Sequence, residues 1–306
     1  MTVVSGKTQE ADSYDAVAED FDRLVEQFAL PLAERLVALA GVAPGEQVLD
    51  VGCGTGLASR AAARRVGGGG KVLGVDIAAG ALAVAETQGR RQGLVPHILR
   101  FEQMDAESLD LADGSVDVVI SLYALLHLPD PAAALRAMRR VLRPGGRICI
   151  GIGSGPPLRS LPGWVQRARL ARHRAVDVMG LVAEAPRQIL GLLDAHLPAA
   201  SRRGTEGSVD LGRRPGRALG RLLEAEGFGA VDHSWRGRVD TVADPDTFWL
   251  LQSTLCSEAR YRIQAAPPED VQRLREAVVT DAWAVLDRGG ALVYPHGAWF
   301  VTARAL

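Results

Sequence analysis

Asp50, Gly52, Gly54 and Gly56 stand at alternate positions in the run VLDVGCGTG. Glycines this dense weaken a regular element, so the stretch needs either unusual backbone angles or a ligand pressed against bare main chain. The dinucleotide fingerprint G-x-G-x-x-G asks for its third glycine one residue later, where this chain has Leu57. A carboxylate beside the loop repels a pyrophosphate and attracts a cation, such as the ammonium of an amino acid. A second acid, Asp76, closes the apolar run VLGVDI, where a carboxylate can accept hydrogen bonds from both hydroxyls of a ribose. A third, Asp105, followed by Ala106 in MDAESL, is placed to meet the exocyclic amine of an adenine stacked near Ile77 and Met104. Each has a structural alternative: a tight turn for the glycines, a helix N-cap for Asp76 and a turn for Asp105.

These residues need elements to hold them. Val48–Val51, residues 72–77, about 97–103, VDVVISL over 116–122 and RICIGIG over 147–153 read as strands. LASRAAARRV, AGALAVAETQGRRQG and PAAALRAMRRVL between them read as helices, the last with Pro131 in its first turn. Strict β-α alternation predicts a doubly wound, mainly parallel α/β sheet with helices on both faces. In such a sheet ligands bind beyond the C-terminal strand ends, where all three acids lie. Residues 1–10 read as disordered. Helical periodicity covers about 13–40, with Pro31 expected to break it. After Gly155 the rhythm changes. Residues 156–212 are expected to form a helical insertion, with helices near 161–179 and 182–197, dividing a core over 1–155 from a C-terminal completion over 213–306. There RALGRLLEAEGF, one helix over about 243–263 and PEDVQRLREAVVTDAWAVL flank two strands, the last being ALVYPHGAWFVTARA.

A ligand with an ammonium and a carboxylate, a free ribose and an adenine is S-adenosylmethionine (SAM). With VLDVGCGTG, VLGVDI, MDAESL, VDVVISLYALLHLPDP and VLRPGGRICI in this order, the chain resembles the class I SAM-dependent methyltransferases, in the small-molecule group of the ubiquinone and menaquinone enzymes. The resemblance covers about residues 13–152. It implies a seven-stranded Rossmann-like sheet with an antiparallel last strand. It implies that Asp50 and the glycines hold the methionine portion, Asp76 the ribose and Asp105 the adenine. It also places Tyr14, in YDAVAEDFD, near the carboxylate or sulfonium, with Ser121 and Leu122 under the methionine portion.

Methyl transfer is an in-line displacement that depends on alignment and exclusion of water. An oxygen or acidic carbon acceptor also needs a base. His127, in YALLHLPD at the cofactor end of the sheet, is the candidate, with Tyr123 to orient the acceptor. The alternative for His127 is a hydrogen bond that shapes its loop. His97, His173, His196, His233 and His296 read as isolated, and no spacing suggests a metal. In the insertion, Arg167, Arg169, Arg172 and Arg174 suit an acidic substrate or a solvated face. Leu161, Trp164, Leu170, Val178 and Met179 suit an apolar roof over a hydrophobic acceptor.

The formal net charge of −1 argues against sequence-independent nucleic-acid binding. The three scattered cysteines form no disulfide framework or zinc site and suit a reducing cytoplasm. No stretch reaches a membrane span and the N-terminus lacks a signal peptide's apolar core. The reading is a SAM-dependent enzyme methylating an oxygen or carbon of a hydrophobic small molecule in bacterial secondary metabolism, with a homodimer left open. The alternatives are a SAM-fold protein without methyl transfer, as a cyclase or binding module, and a nicotinamide-dependent oxidoreductase.

Overall fold

The computed structural model describes residues 6–153, 165, 168, 171, 182–185, 187–197 and 214–306. Apart from residues 165, 168 and 171, the expected helix over 161–179 lies outside them, as do the four insertion arginines and the five residues of the apolar roof. The chain separates into two compact units, residues 1–154 with 205–236 and 298–306, and residues 155–204 with 237–297.

The first unit carries the alternation read from the sequence. Strands β1 (Gln47–Val51), β2 (Lys71–Asp76), β3 (Leu99–Gln103), β4 (Val116–Leu122) and β5 (Leu142–Gly153) are parallel, in the order β3-β2-β1-β4-β5. The end of β8 (Ala291–Ala305) closes this sheet antiparallel to β5, with Ile150 opposite Val301. The order reverses at β1, so the crevice between β1 and β4 opens at the switch point where α/β sheets bind ligands. Leu49, Val51, Val118, Val119, Ile120, Ile148 and Ile150 are fully or almost fully buried, as strands covered on both faces require. Helices α4 (Leu57–Val66), α5 (Ala79–Arg91) and α6 (Pro131–Val141) connect the strands. The RPGG turn is extruded from β5: Val116 pairs with Leu142 but Val118 pairs with Arg147, so residues 143–146 bulge outward.

The N-terminal segment departs from expectation. Helix α1 (Gly6–Asp15) includes residues read as disordered, and α2 (Ala18–Phe28) and α3 (Leu30–Leu39) follow it. The break falls at Ala29, and Pro31 sits in the first turn of α3, where its missing N–H costs nothing. Helix α1 has almost no apolar periodicity, and polar contacts described below hold it. Arg60 of α4 is buried. It donates to Glu26 at 2.7 Å and to the Thr55 carbonyl at 2.6 Å, tying α2 to the loop after β1.

In the second unit residues 182–184, expected to be helical, form a short strand β6 (Val182–Glu184) parallel to the start of β8, with Ala183 opposite Leu292. The helix begins later, as α7 (Arg187–His196). Helix α8 (Pro215–Ala225) and the start of β7 (Phe228–Val242) belong to the first unit, whereas the rest of β7, α9 (Pro245–Leu255), α10 (Ser257–Ala265) and α11 (Pro268–Asp287) belong to the second. The single helix expected over 243–263 is two, separated at Cys256. Ile189, Leu193, Ala259, Leu274 and Val278 form the core of this unit. His296, which reads as isolated, meets Asp240 at 2.7 Å and stacks on Tyr294.

One packing contact joins the strands to the glycine loop. The Phe101 ring fills the space a Cβ would need on both Gly56 and Gly74, at 2.7 Å in each case. Gly74→Ala therefore lowers stability by about 1–3 kcal/mol through overpacking, read as a lower chemical-denaturation midpoint. An unchanged midpoint would contradict this packing.

Candidate functional site

A mostly apolar cavity lies at the C-terminal ends of β1, β2 and β4, entirely within the first unit. Of the residues expected there, Tyr14, Asp50, Gly52, Gly54, Asp76, Ile77, Met104, Asp105, Ala106, Leu122, Tyr123 and His127 line it. Gly56 and Ser121 stand behind the lining. Gly56 starts α4 at φ 80°, and the buried Ser121 hydroxyl donates to the Val51 carbonyl at 2.8 Å, bracing β1 against β4.

The loop after β1 is built for bare backbone. Gly52, Gly54 and Gly56 all have positive φ, the conformation glycine tolerates best. A Cβ on Gly52 would fall 2.2 Å from the Ala124 Cβ, so β4's exit segment needs a glycine there. The Gly52 N–H donates to the Val75 carbonyl at 2.8 Å, and the Gly54 N–H donates to Asp76 Oδ2 at 2.8 Å. Tyr123 at the end of β4 has φ 66°, an uncommon conformation for a bulky residue, and its N–H donates to the Gly151 carbonyl at 2.7 Å.

Two acids face this loop, Asp50 buried and Asp76 half-buried. Asp50 is 1% exposed. Its Oδ2 accepts from the Ser59 hydroxyl at 2.5 Å, and its Oδ1 has no protein partner. Burial, with repulsion from Asp76 against the Ser59 bond, pushes the Asp50 carboxyl up to about 7. Burial also raises the Asp76 carboxyl, opposed by the N–H donors of Ala78 and Gly54. An orphaned carboxylate oxygen beside exposed main chain fits an ammonium-bearing ligand and leaves a pyrophosphate without compensation.

Helix α1 supplies what the sequence pattern missed. Lys7 Nζ meets Asp105 Oδ2 at 2.7 Å and Glu107 at 2.6 Å. Burial would raise the Asp105 carboxyl, but the Lys7 bond and charge and the Glu107 N–H bring it below its usual range. Glu10 Oε1 lies 3.0 Å from His127 Nδ1. Asp15 Oδ1 accepts from the Gly80 and Ala81 N–H groups at 2.8 and 3.1 Å, capping α5 from a distance. The available signal was the spacing of Lys7, Glu10, Ala11 and Tyr14, one helical face that lines the cavity.

Residues 49–150 match the family model described as a methyltransferase domain. This segment is a methyltransferase domain. The methyltransferase domain is similar to aklanonic acid methyltransferase DauC of Streptomyces sp. (strain C5), 37% identical over 47% of this chain and 64% of that protein. It is also similar to nocamycin O-methyltransferase of Saccharothrix syringae, 35% identical over 60% of this chain and 64% of that one. The chain thus spans less than two thirds of the length of these relatives. In fold it is similar to the [4+2]-cyclase SpnF, with TM-score 0.58 and 20% identity over 100% of this chain and 98% of that one. The fit of the domain's cofactor rests on this chain's own residues: the orphaned Asp50 oxygen and the cradle closed to any Cβ at Gly52.

The raised Asp50 carboxyl carries a stability consequence. Its folded value of about 7 lies above the usual 3.8, so the folded state holds the proton that the unfolded state loses, and stability falls as pH rises from about 4 to 7. The full shift is worth about 4 kcal/mol, and an unpaired amide returns about 1–3 kcal/mol of that. Asp50→Asn therefore stabilises the ligand-free protein at pH 8 by about 1–3 kcal/mol and loses that advantage below pH 5. Thermal melts at both pH values check this. A variant no more stable than the parent at pH 8 would contradict it.

Proposed function

We propose that this protein transfers the methyl group of SAM to an oxygen or carbon of a hydrophobic small molecule, in the secondary metabolism of a bacterium. The observation that carries the reading is the unmatched Asp50 oxygen in an apolar cavity beside the glycine loop. Four acids line that cavity, Glu10, Asp50, Asp76 and Asp105, against one lysine, Lys7. Such a balance favours a ligand carrying both a sulfonium and an ammonium.

When bound, SAM supplies an electrophilic methyl group. Asp50 would hold the ammonium, Asp76 the ribose hydroxyls and Asp105 the adenine amine, with Ile77 and Met104 against the base. Tyr14 and Leu122 stand at the methionine end, with Ser121 and Gly56 holding the backbone behind it. His127 takes the acceptor's proton, and Tyr123, fixed by its backbone bond to Gly151, orients the acceptor. The apolar walls exclude water from the displacement. The printed names of DauC and the nocamycin enzyme support a natural-product acceptor. No helix among the described residues is long and apolar enough to cross a membrane, and we place the reaction in the cytoplasm.

Release of S-adenosylhomocysteine with polyketide, terpenoid, quinone and aromatic acceptors tests the reading. His127→Ala lowers kcat about 10²- to 10⁴-fold, the range of a positioned general base, with affinity for SAM nearly unchanged. Equal turnover in that variant would remove the base. SAM binding without product release from any acceptor would favour the cyclase or binding-module reading.

A further inference from the structure

We propose that Ser59 is a positioning residue for Asp50: its hydroxyl holds one carboxylate oxygen behind the cavity wall, leaves the other for the ligand, and keeps the group ionised in the pH range where the ligand binds. The inference rests on the methyl-transfer reading above and adds to it the group that sets the acid at the amino-acid end.

The contact is built from three elements. Asp50 of β1 pairs with Gly74 of β2. A Cβ on Gly74 would fall 2.9 Å from Ser59 Oγ, so the bare strand at that position is what admits the hydroxyl. Ser59 is the third residue of α4 and is fully buried. From there its hydroxyl donates to Asp50 Oδ2 at 2.5 Å. Its N–H lies in the first turn, where such groups have no partner within the helix, and adds a weaker pull on the same carboxylate. Asp50 lines the cavity and Ser59 does not. The bonded oxygen is thus held by the helix, and Oδ1, which has no protein partner, is the one left for a ligand.

Among the described residues no other side chain donates to Asp50. Arg60, the next residue of α4, is turned to Glu26 and the Thr55 carbonyl. Ser121 on β4 donates to the Val51 carbonyl instead. Asp76, at the end of β2, repels the carboxylate. Cys53, in the glycine loop, is a thiol that burial keeps protonated. The other titratable groups on the cavity wall are Lys7, Glu10, Tyr14, Asp105, Tyr123 and His127.

A hydrogen bond to a charged acceptor is stronger than one to a neutral acceptor, so the Ser59 hydroxyl favours the ionised carboxyl. Burial and Asp76 oppose it, and the balance leaves the Asp50 carboxyl at about 7. Without the hydroxyl the balance moves to the protonated acid, which has lost the charge that draws an ammonium. A variant lacking the hydroxyl therefore titrates higher than the parent. Its deficit in affinity is largest below the parent's midpoint and closes as pH rises above its own.

Titration of the ligand-free protein, followed by ¹³C NMR of the aspartate carboxyls, reads the midpoint directly, with the Asp50 signal assigned by its loss in Asp50→Asn. Ser59→Ala raises that midpoint by about one pH unit. Ser59→Cys, which keeps the volume but offers only a weak donor, raises it as well. Calorimetry with S-adenosylhomocysteine then gives the ratio of parent to variant affinity at each pH, in which the ligand's own ionisation cancels. Ser59→Ala binds about tenfold more weakly at about pH 6 and within about twofold of the parent at about pH 9. A midpoint unmoved in either variant, or an affinity deficit equal at every pH, as lost packing alone would give, would overturn the proposal. If the parent does not bind S-adenosylhomocysteine while the midpoint still moves in both variants, the methyl-transfer reading falls and the assignment of Ser59 to Asp50 stands.

Discussion

A carboxylate sealed at the end of a central strand, with a hydroxyl on one oxygen and nothing on the other, is the constraint around which this site is arranged. Taking a charge out of water is costly unless a partner replaces the solvent. Asp50 has only Ser59, and its neighbour Asp76 adds repulsion. The parallel strands place both acids at the same edge of the sheet, beside a loop with glycine at every second position. The missing compensation is what a cationic ligand would bring. In this sense the unliganded fold stores a penalty that binding relieves, and the same feature couples affinity to pH.

The second theme is a cover made from polar contacts. Helix α1 has no apolar stripe, yet Lys7, Glu10 and Asp15 each find a charged or N–H partner on the core. Ion pairs of this partly sheltered kind contribute modestly one at a time. Their shared consequence is geometric: they bring Tyr14 and Glu10 beside His127 and set α1 against the cavity that Asp76 and Asp105 line. Because Lys7 sits on Asp105, the cover and this cavity-lining acid are linked electrostatically.

What the sequence made legible followed from periodicity and from acids at strand ends. The five parallel strands announced themselves by apolar runs, and the glycine loop by spacing that no packed element tolerates. Asp50, Asp76 and Asp105 were readable because strand ends in an α/β sheet converge on one edge. Two expected residues, Gly56 and Ser121, turned out to brace the lining from behind, since spacing along a strand does not say which atoms face inward. Helix α1 was illegible for a physical reason: its stability comes from partners about a hundred residues away, as with Lys7 and Glu107, and a polar helix leaves no hydrophobic period. The same blindness hid β6, whose three residues gain strand form only from their pairing with β8, and Arg60, whose burial depends on Glu26 and Asp22.

The most direct measurement is calorimetric titration of the ligand-free protein with S-adenosylhomocysteine at pH 7, in two buffers of different ionisation enthalpy. The account predicts saturable binding with release of about half a proton, because Asp50, poised near pH 7, ionises when the ammonium arrives. Absence of binding, or binding with no net proton released, would contradict it.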